Sequence, residues 1–321
     1  MLGGLGLVGE VSAGTSKVAK KSVDAKAKVG LAAKPATVRS NKRLVRVAAV
    51  RIQPERPSFG QVYGLHATTD ELDLKSSVAL VLDQDTNEVL FSKNSQAVLP
   101  IASITKLMTA MVVLDRGLDL EDRVVISSQD MDQLKNTQSR LRPGAVLTRN
   151  ELLLLALMAS ENRAAAALAR TYPGGIEAFV AAMNEKALSL GMLNSRFEDS
   201  TGLTAANVST APDLARMVQA AHEYPVIRQY STQDKAQVSV FGQWLQYFNT
   251  NGLVRGHTWD IGLSKTGYIS EAGRCLVMRV RLASKDLVVI LLDSWGKNSR
   301  IGDAQRIKKW LESSAAQRRR G

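Results

Sequence analysis

The sequence has 321 residues, of which 45% are hydrophobic and 22% are charged, and its formal net charge at pH 7 is +12. This length allows one large domain or two smaller ones with a substantial buried core. Cys275 is the single cysteine, which excludes an intrachain disulfide, and its apolar neighbours predict a buried core residue. The histidines (His66, His222 and His257) lack the spacing of metal ligands, so neither a metal site nor a cofactor is expected.

Most of the positive charge lies near the start of the chain. Residues 1–60 carry twelve basic and three acidic side chains, which is +9 of the total of +12. Residues 1–16 combine a short apolar stretch with small residues and are interpreted as the remnant of a secretory signal, although no basic segment precedes them. Residues 17–68 show neither helical nor strand periodicity and predict a basic flexible linker, followed by a folded domain over 69–321.

The basic segment admits several partners, which its composition separates. A nucleic-acid arm is disfavoured because no aromatic side chains alternate with the basic ones and no recognition motif accompanies them. Weak association of residues 17–56 with an anionic membrane or wall polymer stays open as an alternative to a solvated linker. The sequence contains no run of about 18 apolar residues, so no transmembrane span is predicted.

Two β-hairpins are predicted at the two ends of the folded domain. The first joins strands at 78–82 and 88–91 through a turn-rich loop, and the second joins 276–282 to 287–292 through the loop 283–286. Asp303 then fits the N-cap of a closing helix, because three apolar residues that follow it share one helical face.

The middle of the chain is predicted to be mostly helical. Thr148 and Glu151 have the spacing of a capping box, and residues 152–158 form a helix that is apolar on every side and therefore buried. An alanine-rich helix follows over 163–170. The pattern predicts an α/β (α+β) fold, in which N- and C-terminal strands form one antiparallel sheet flanked by helices, beside a mostly helical subdomain.

Ser103 and Lys106 form the first candidate for chemistry. They follow Pro100 at the start of a helical pattern, and a spacing of three puts both side chains on one face of the first turn. A serine hydroxyl becomes a nucleophile when a base takes its proton, and a lysine can be that base if burial or another cation lowers its pKa. Taken alone, such a pair is more often a helix cap beside a solvated charge.

Two further motifs follow in the chain, and each is weak by itself. Ser160 and Asn162 offer a hydroxyl and an amide at a helix boundary, where N-capping is the simpler explanation. Lys265, Thr266 and Gly267 lie in a predicted strand, where the first two can bind a carboxylate while the glycine lets a substrate backbone approach closely. The simpler alternative is an edge-strand lysine followed by a turn glycine.

The three motifs together, in the order Ser-x-x-Lys, Ser-x-Asn and Lys-Thr-Gly, resemble the signature of the β-lactamases and penicillin-binding proteins. The segments 197–203 and 207–215 are similar to the D-alanyl-D-alanine carboxypeptidases and endopeptidases of serine peptidase family S11. The resemblance extends over roughly residues 70 to 315. It implies a β-lactamase/transpeptidase-like fold and a periplasmic hydrolase.

The resemblance also implies catalytic roles for three side chains. Ser103 attacks the scissile D-Ala carbonyl and forms an acyl-enzyme, and Lys106 removes the serine proton. Ser160 passes a proton to the leaving amine. A positive charge on Lys265 is expected to lower the pKa of Lys106 and keep its amine able to accept a proton.

Substrate binding is implied for the other motif positions. Asn162 holds the donor peptide, while Lys265 and Thr266 bind the carboxylate beside the scissile bond. Gly267 leaves room for the substrate, and the backbone N–H groups of Tyr268 and of the nucleophile form the oxyanion hole.

Peptidoglycan cross-links are the implied substrate, and β-lactams are the implied acylating inhibitors. Little more than a hairpin and a helix follows the third motif in this sequence, which favours the endopeptidase branch, of the penicillin-binding protein 7 type. That branch cuts D-Ala to diaminopimelate cross-links.

A D-alanyl-D-alanine carboxypeptidase is the main alternative. A class A β-lactamase is disfavoured because Glu198 is the single local candidate for its loop glutamate, and a non-catalytic wall-binding module is disfavoured by the intact motifs.

Overall fold

The computed structural model describes residues 57–318, so the predicted signal remnant at 1–16 and most of the predicted linker at 17–68 lie outside the described residues. The α-helices are α1 (Phe59–Val62), α2 (Lys106–Asp115), α3 (Arg149–Met158), α4 (Asn162–Arg170), α5 (Gly175–Ser189), α6 (Ala211–His222), α7 (Pro225–Thr232), α8 (Gly252–Arg255) and α9 (Ser299–Arg318). The strands are β1 (Ser76–Asp83), β2 (Val89–Lys93), β3 (Leu99–Pro100), β4 (Arg123–Val125), β5 (Val146–Thr148), β6 (Val208–Ser209), β7 (Lys235–Val240), β8 (Gln243–Phe248), β9 (Asp260–Ile269), β10 (Gly273–Leu282) and β11 (Lys285–Ser294).

Ordered structure begins before the predicted end of the linker at residue 68. Ser58 and Gln61 form a capping box at the start of α1, with each side chain bonded to the backbone N–H of the other residue. The N–H of Phe59 donates to the carbonyl of Glu271 at 2.9 Å, in the turn between β9 and β10. The linker boundary was therefore placed too late, because a short helix without a long periodic pattern gives little signal in sequence.

A five-stranded antiparallel sheet joins the two ends of the folded domain. Its strand order is β2-β1-β11-β10-β9, so the first hairpin is inserted next to the last one. Leu80 of β1 lies opposite Ile290 of β11, which in turn lies opposite Val277 of β10. This arrangement confirms the predicted antiparallel sheet built from N- and C-terminal strands.

Both faces of the sheet are covered, which explains why its strands are continuous apolar runs rather than alternating ones. In β11, Val288 and Ile290 join the larger core cluster on the side of α2 and α6, while Leu287 and Val289 join a smaller cluster. The smaller cluster contains residues of α9 (Ala304, Ile307 and Leu311). Cys275 lies in the larger cluster with no exposed surface, and its burial raises the pKa of the thiol to about 12.

The turn between β10 and β11 is shorter than the predicted loop 283–286. Ala283 and Ser284 form the turn alone, with φ angles of 51° and 66°. Two successive residues with positive φ are typical of a type I′ hairpin turn, which fits the twist of the flanking strands. Glycine or asparagine usually marks such a turn, so its absence from the sequence hid the true length.

Asp303 does not cap the closing helix, which begins earlier at Ser299. Its carboxylate is fully buried and accepts hydrogen bonds from the backbone N–H groups of Lys75 and Ser76, at 3.0 and 2.8 Å. Arg306, one turn later on α9, donates to the same carboxylate at 2.8 Å. Asp303 therefore fastens α9 to the first residues of β1, a tertiary role that local spacing could not indicate.

Most of the helices lie between β3 and β7 in the chain, as predicted. The capping box at the start of α3 is present: Thr148 Oγ1 accepts from the N–H of Glu151 at 3.1 Å, and the carboxylate of Glu151 accepts from the N–H of Thr148 at 2.8 Å. Helix α3 is buried along most of its length and leads through three residues into α4. Over residues 57–318, no helix is both long and apolar enough to cross a membrane.

Candidate active site

Ser103 lies in a tight turn that opens the most buried helix of the molecule's larger core. Residues Ala102–Thr105 form a 3₁₀ helix that continues directly into α2, so the predicted helix start is present with a tighter first turn. Ala102 has a φ of 47°, a left-handed conformation that is unusual for a residue with a side chain. Thr105 Oγ1 bonds to the carbonyl of Ala102 at 2.8 Å and holds the turn closed. The turn thereby fixes the position of the serine hydroxyl.

Lys106 is fully buried directly below Ser103. Its Nζ lies 2.8 Å from Ser103 Oγ, 2.7 Å from Asn162 Oδ1 and 2.6 Å from the carbonyl oxygen of Thr201. Two of these partners are carbonyl oxygens, which can only accept, whereas the hydroxyl can also donate. A neutral amine has two N–H bonds and one lone pair. It therefore satisfies all three contacts when the Ser103 hydroxyl donates to it.

Burial is the main cause of the lowered pKa of Lys106. It shifts the pKa from 10.5 to about 7, against the opposing pull of the negative charges of Asp199 and Glu161. From the sequence, either burial or a neighbouring cation such as Lys265 could lower this pKa; burial is the main cause, and the depth of a side chain is not visible in sequence. The result is the same: a large fraction of Lys106 is neutral near pH 7.

Lys265 is the second fully buried amine of the site. It donates from Nζ to Ser160 Oγ at 2.9 Å and to the carbonyl oxygen of Thr266 at 2.9 Å. Burial holds its pKa well below the ordinary value, and the positive charges of Lys106 and Arg300 add to the effect. The two lysines of the first and third motifs therefore share one small buried region.

The second motif lies on the opposite side of this region, between α3 and α4. Ser160 has a φ of 58°, and the side chain that caps α4 belongs to Glu161. The simple capping explanation for Ser160 is thereby excluded. Its hydroxyl is directed instead at Lys265. A strained backbone at such a position is typical of functional sites.

Asn162 is held in one orientation by a chain of hydrogen bonds. Its Nδ2 donates to Thr137 Oγ1 at 3.1 Å, and that hydroxyl donates to Asp132 Oδ2 at 2.7 Å. Because the carboxylate can only accept, the Thr137 hydroxyl must accept from the amide nitrogen. The amide oxygen of Asn162 is therefore directed at Lys106, in agreement with the short contact there.

The third motif lies at the edge of the sheet, against the turn that contains Ser103. A Cβ added to Gly267 would lie 2.9 Å from the carbonyl oxygen of Ile101 and 3.1 Å from the backbone nitrogen of Ser103. Only a glycine allows this approach of β9 to the turn. Thr266 Oγ1 lies 2.6 Å from Thr250 Oγ1, and the side chain of Tyr268 is 46% exposed.

The segment 197–207 packs against the turn that contains Ser103. Gly202 has a φ of 78°, and a Cβ there would lie 1.9 Å from the carbonyl oxygen of Ala102. The carboxylate of Asp199 accepts from the backbone N–H groups of Thr201 and Gly202, at 3.0 and 2.6 Å. The fully buried Asn207 donates to Thr105 Oγ1 at 3.0 Å and connects the segment to the turn of Ser103.

All three motifs open onto one cleft of about 450 Å³. The predicted residues Ser103, Ser160, Asn162, Thr266, Gly267 and Tyr268 line it, while Lys106 and Lys265 lie beneath its floor. The prediction missed several further lining residues, and those that lie outside the predicted motifs and segments are Lys135, Thr137, Thr250 and Arg300. Each is an isolated polar residue far from the motifs in the chain, so no local pattern could have identified them.

Glu198, the candidate loop glutamate of a β-lactamase, lies outside the cleft. It pairs with Arg196, and no aspartate or glutamate is among the described residues that line the cleft. Asp199, its neighbour, is occupied by backbone N–H groups. A carboxylate placed to activate water against an acyl group is therefore absent from this part of the chain.

The histidines do not form a metal site. Over residues 57–318, no group of three or more His, Cys, Asp or Glu side chains could hold a metal ion. His222 packs against Arg279 near the edge strand β9, and His257 lies 3.9 Å from Asp234. Burial, followed by the charge of Arg279, lowers the pKa of His222.

Comparison with known proteins gives consistent similarities. The family model for D-alanyl-D-alanine carboxypeptidase (peptidase S11) matches residues 65–295. The D-alanyl-D-alanine endopeptidase of Pseudomonas aeruginosa is 48% identical over 243 residues, covering 75% of this chain and 78% of that protein. The D-alanyl-D-alanine endopeptidase of Escherichia coli K12 is 45% identical over 248 residues, covering 77% and 80%. The crystal structure of the Streptomyces K15 DD-transpeptidase matches with a TM-score of 0.69 and 27% identity, covering 75% of this chain and 98% of that one.

Proposed function

The chain belongs to the D-alanyl-D-alanine carboxypeptidase family of serine peptidases, peptidase S11, and on this premise we propose that it hydrolyses the D-Ala to diaminopimelate cross-links of peptidoglycan. The observation that carries the proposal is the 2.8 Å contact between Ser103 Oγ and a buried amine with a pKa of about 7. Two relatives more than 40% identical to the chain are named endopeptidases. The periplasm is the proposed location, because peptidoglycan is the substrate.

Acylation begins with neutral Lys106. Its lone pair takes the proton of Ser103 Oγ as the oxygen attacks the scissile D-Ala carbonyl carbon. The backbone N–H groups of Ser103 and Tyr268 stabilise the negative charge that develops on the carbonyl oxygen. When the C–N bond breaks, the proton that Lys106 took from Ser103 passes through Ser160 to the leaving amine, and the acyl group stays on Ser103 as an ester. Water then attacks the ester carbonyl, the acyl group leaves as a carboxylic acid, and one proton of the water returns to Ser103 Oγ.

Substrate binding is assigned to the polar groups that surround the serine. Lys265 and Thr266 bind the carboxylate next to the scissile bond; Thr266 lines the cleft, and the buried Lys265 reaches Ser160, which lines it as well. Asn162 binds the peptide through its amide, whose orientation Thr137 fixes. Gly267 leaves the edge of β9 free of a side chain where the substrate backbone approaches.

The positions of the carboxyl groups near the site determine how fast a bound β-lactam can be hydrolysed. A β-lactam acylates the nucleophile in the same way as a peptide, but rapid hydrolysis of the adduct needs an activated water. Glu198 pairs with Arg196 outside the cleft, so nothing in the described residues supports a class A β-lactamase. β-lactams are therefore proposed as long-lived acylating inhibitors.

A rigid contact between Gly202 and the catalytic turn gives a test of this mechanism. Gly202→Ala introduces a Cβ 1.9 Å from the Ala102 carbonyl oxygen, and relief of that overlap must displace the neighbouring nucleophile. We expect the second-order rate constant for acylation by fluorescent penicillin to fall by about 100-fold or more, because small displacements at a reacting atom cost that much.

Gly117→Ala is the matched control for this variant. Gly117 has a φ of 67°, close to the 78° of Gly202, but open space surrounds its added Cβ. Both variants carry a similar backbone strain of about 1–2 kcal/mol, so only the steric contact differs. Acylation by Gly117→Ala should stay within about twofold of the wild type. Equal rates for the two variants would contradict a supporting role for residue 202.

The chemistry does not separate an endopeptidase from a carboxypeptidase. A terminal D-Ala and the D-centre of diaminopimelate both place a carboxylate beside the scissile bond, so Lys265 and Thr266 serve either substrate. Digestion of purified sacculi with the full chain, followed by chromatography of the muropeptides, distinguishes them. Loss of cross-linked dimers is expected, whereas loss of pentapeptide termini alone would show a carboxypeptidase.

The basic segment is proposed to help the protein associate with the cell wall. Residues 17–56 lie outside the described residues, and the support for this role is their positive charge against an anionic wall polymer or membrane. A non-catalytic wall-binding module would share this feature. It would not react covalently with penicillin, so labelling of the serine separates the two functions.

A further inference from the structure

A second cavity of about 360 Å³ opens beside the active-site cleft. Tyr268 and Ser270 line both cavities, so the two spaces adjoin at the end of β9. The second cavity runs over the turn between β9 and β10 and the segment that follows β11. We call it the side groove and define it by the residues Tyr268, Ser270, Arg274, Trp295 and Lys297.

The side groove combines exposed aromatic rings with positive charge. The guanidinium carbon of Arg274 lies 4.5 Å from the centroid of the Tyr268 ring, and the two rings of Tyr268 and Trp295 are 46% and 68% exposed. Lys297 is exposed at the far end. Neither Arg274 nor Lys297 forms an ion pair with another residue in the part of the chain described, 57–318.

Asp293 is the acidic residue in the floor of the groove. It is buried and accepts from Ser77 Oγ at 2.8 Å, so its carboxyl group is engaged away from Arg274 and Lys297. Burial raises the pKa of this carboxyl group. The groove therefore presents two unpaired cations beside two rings, a combination suited to an anionic chain with apolar parts.

The orientation of the substrate determines which part of it meets the side groove. In the proposed mechanism, the carboxylate of the leaving group is bound by Lys265 and Thr266, and the scissile carbonyl lies at the N–H of Tyr268. The acyl part of the substrate lies on the opposite side of the scissile bond from that carboxylate. It must therefore continue past Tyr268 toward Ser270, which is the mouth of the side groove.

We propose that the side groove binds the acyl-donor peptide of a peptidoglycan cross-link as an anionic peptide, an inference that rests on the proposed function. Arg274 and Lys297 pair with carboxylates of that peptide, and Trp295 packs on its apolar atoms. Three extended residues span about 10 Å, enough to lead from the scissile carbonyl into the groove. The groove thereby selects long, acidic donor peptides over short neutral ones.

The test compares two substrates on two groove variants of the full chain. One variant is Arg274→Gln combined with Lys297→Gln, and the other is Trp295→Ala. The first substrate is a cross-linked muropeptide dimer; the second is a short D-Ala-D-Ala peptide with no carboxylate on its acyl side. We expect kcat/KM for the dimer to fall by about tenfold, which is about 1.4 kcal/mol, with a change below about twofold for the short peptide.

Matched controls exclude a general effect of surface mutation. Trp244→Ala removes a ring that is 71% exposed on the hairpin of β7 and β8, and Arg116→Gln combined with Arg255→Gln removes two exposed cations elsewhere. Both should cleave both substrates at wild-type rates. Equal losses on the dimer and the short peptide in the groove variants would overturn the proposal, as would unchanged cleavage of the dimer.

Two further outcomes distinguish a failure of the groove proposal from a failure of the proposed endopeptidase function. If the loss on the dimer vanishes when the sugars are removed from it, the groove binds glycan and the proposal for an anionic peptide is wrong. If the wild type fails to cleave dimers at all, the proposed endopeptidase function fails. In that case the groove variants are tested on D-Ala-D-Ala peptides with and without acidic donor residues. A fall in kcat/KM for the acidic peptides alone still supports the role of the groove.

Discussion

Replacing Ser103 by alanine should abolish covalent labelling by fluorescent penicillin and lower the hydrolysis of cross-linked muropeptides by roughly four to six orders of magnitude. In the proposed mechanism the Ser103 hydroxyl oxygen is the atom that becomes acylated, so no other group in the cleft replaces it. The folded state should tolerate the change, because the side chain is half-buried and its partner Lys106 keeps two other acceptors. Thermal unfolding of the variant should therefore resemble that of the wild type.

Ser189→Ala is the control, since this exposed serine lies at the end of α5 and bonds only to the backbone carbonyl of Lys186. It should be labelled like the wild type. Peptide mapping of the adduct gives the decisive result. Label recovered on Ser160, or label that persists in the Ser103 variant, would contradict the assignment. A wild type that binds peptidoglycan but takes no label would show the wall-binding module instead.

The second large effect is expected at Lys106. In the proposed mechanism its neutral amine is the base, and burial lowers its pKa to about 7. The rate constant for acylation should therefore rise as pH increases through 7 and level off above it, because deprotonation creates the active form. Lys106→Arg keeps the positive charge and has no neutral form at these pH values, so the rate should fall by about 10³-fold and lose the inflection.

The measurement is the second-order rate constant for acylation by penicillin between pH 5 and 9. Lys186→Arg is the control, because Lys186 lies at the surface of the helical region, where it pairs with Asp115. That variant should keep the wild-type profile. An inflection near pH 7 that survives in Lys106→Arg, or a wild-type inflection at the ordinary pKa of a lysine, would remove Lys106 as the base.

Folding stability provides a second readout of the same shift. The unfolded chain keeps the ordinary lysine pKa of 10.5, whereas the folded chain has about 7, so the unfolded state binds more protons between these pH values. The contribution of Lys106 to stability should therefore increase with pH across this range, by on the order of 5 kcal/mol. Lys106→Met removes the titration, and urea unfolding at several pH values measures the difference.

The fold was predictable because its strands are apolar on both faces and its helices carry local signals. The apolar runs at 276–282 and 287–292 indicate buried strands. Thr148 and Glu151 indicate a helix start, because the hydrogen bonds of a capping box lie within four consecutive residues. Asp303 shows the limit of such reasoning. Its spacing is that of a helix cap, yet its partners Lys75 and Ser76 lie more than two hundred positions earlier in the chain.

The site was predictable where residues form ordered motifs and hidden where they act singly. Ser160 and Asn162 became informative only because two other motifs frame them in the sequence. Thr137 and Arg300 belong to no motif in the sequence. Thr137 orients Asn162, and Arg300 donates to the carbonyl oxygen of Gly267 at 3.1 Å. The source of the lysine pKa shift was hidden as well, because burial is a property of the assembled core.

The pairing of β1 with β11 has a consequence for how the enzyme is made. Ser76 of β1 lies opposite Ser294 of β11, so β1 cannot pair with β11 until more than two hundred further residues have been synthesised. Pairing over such distances slows folding, because the closure of a long loop precedes any stabilising contact. Ser103 leaves the ribosome early, but β9 and β11 follow late. A partly synthesised chain should therefore carry the nucleophile without yet being able to react.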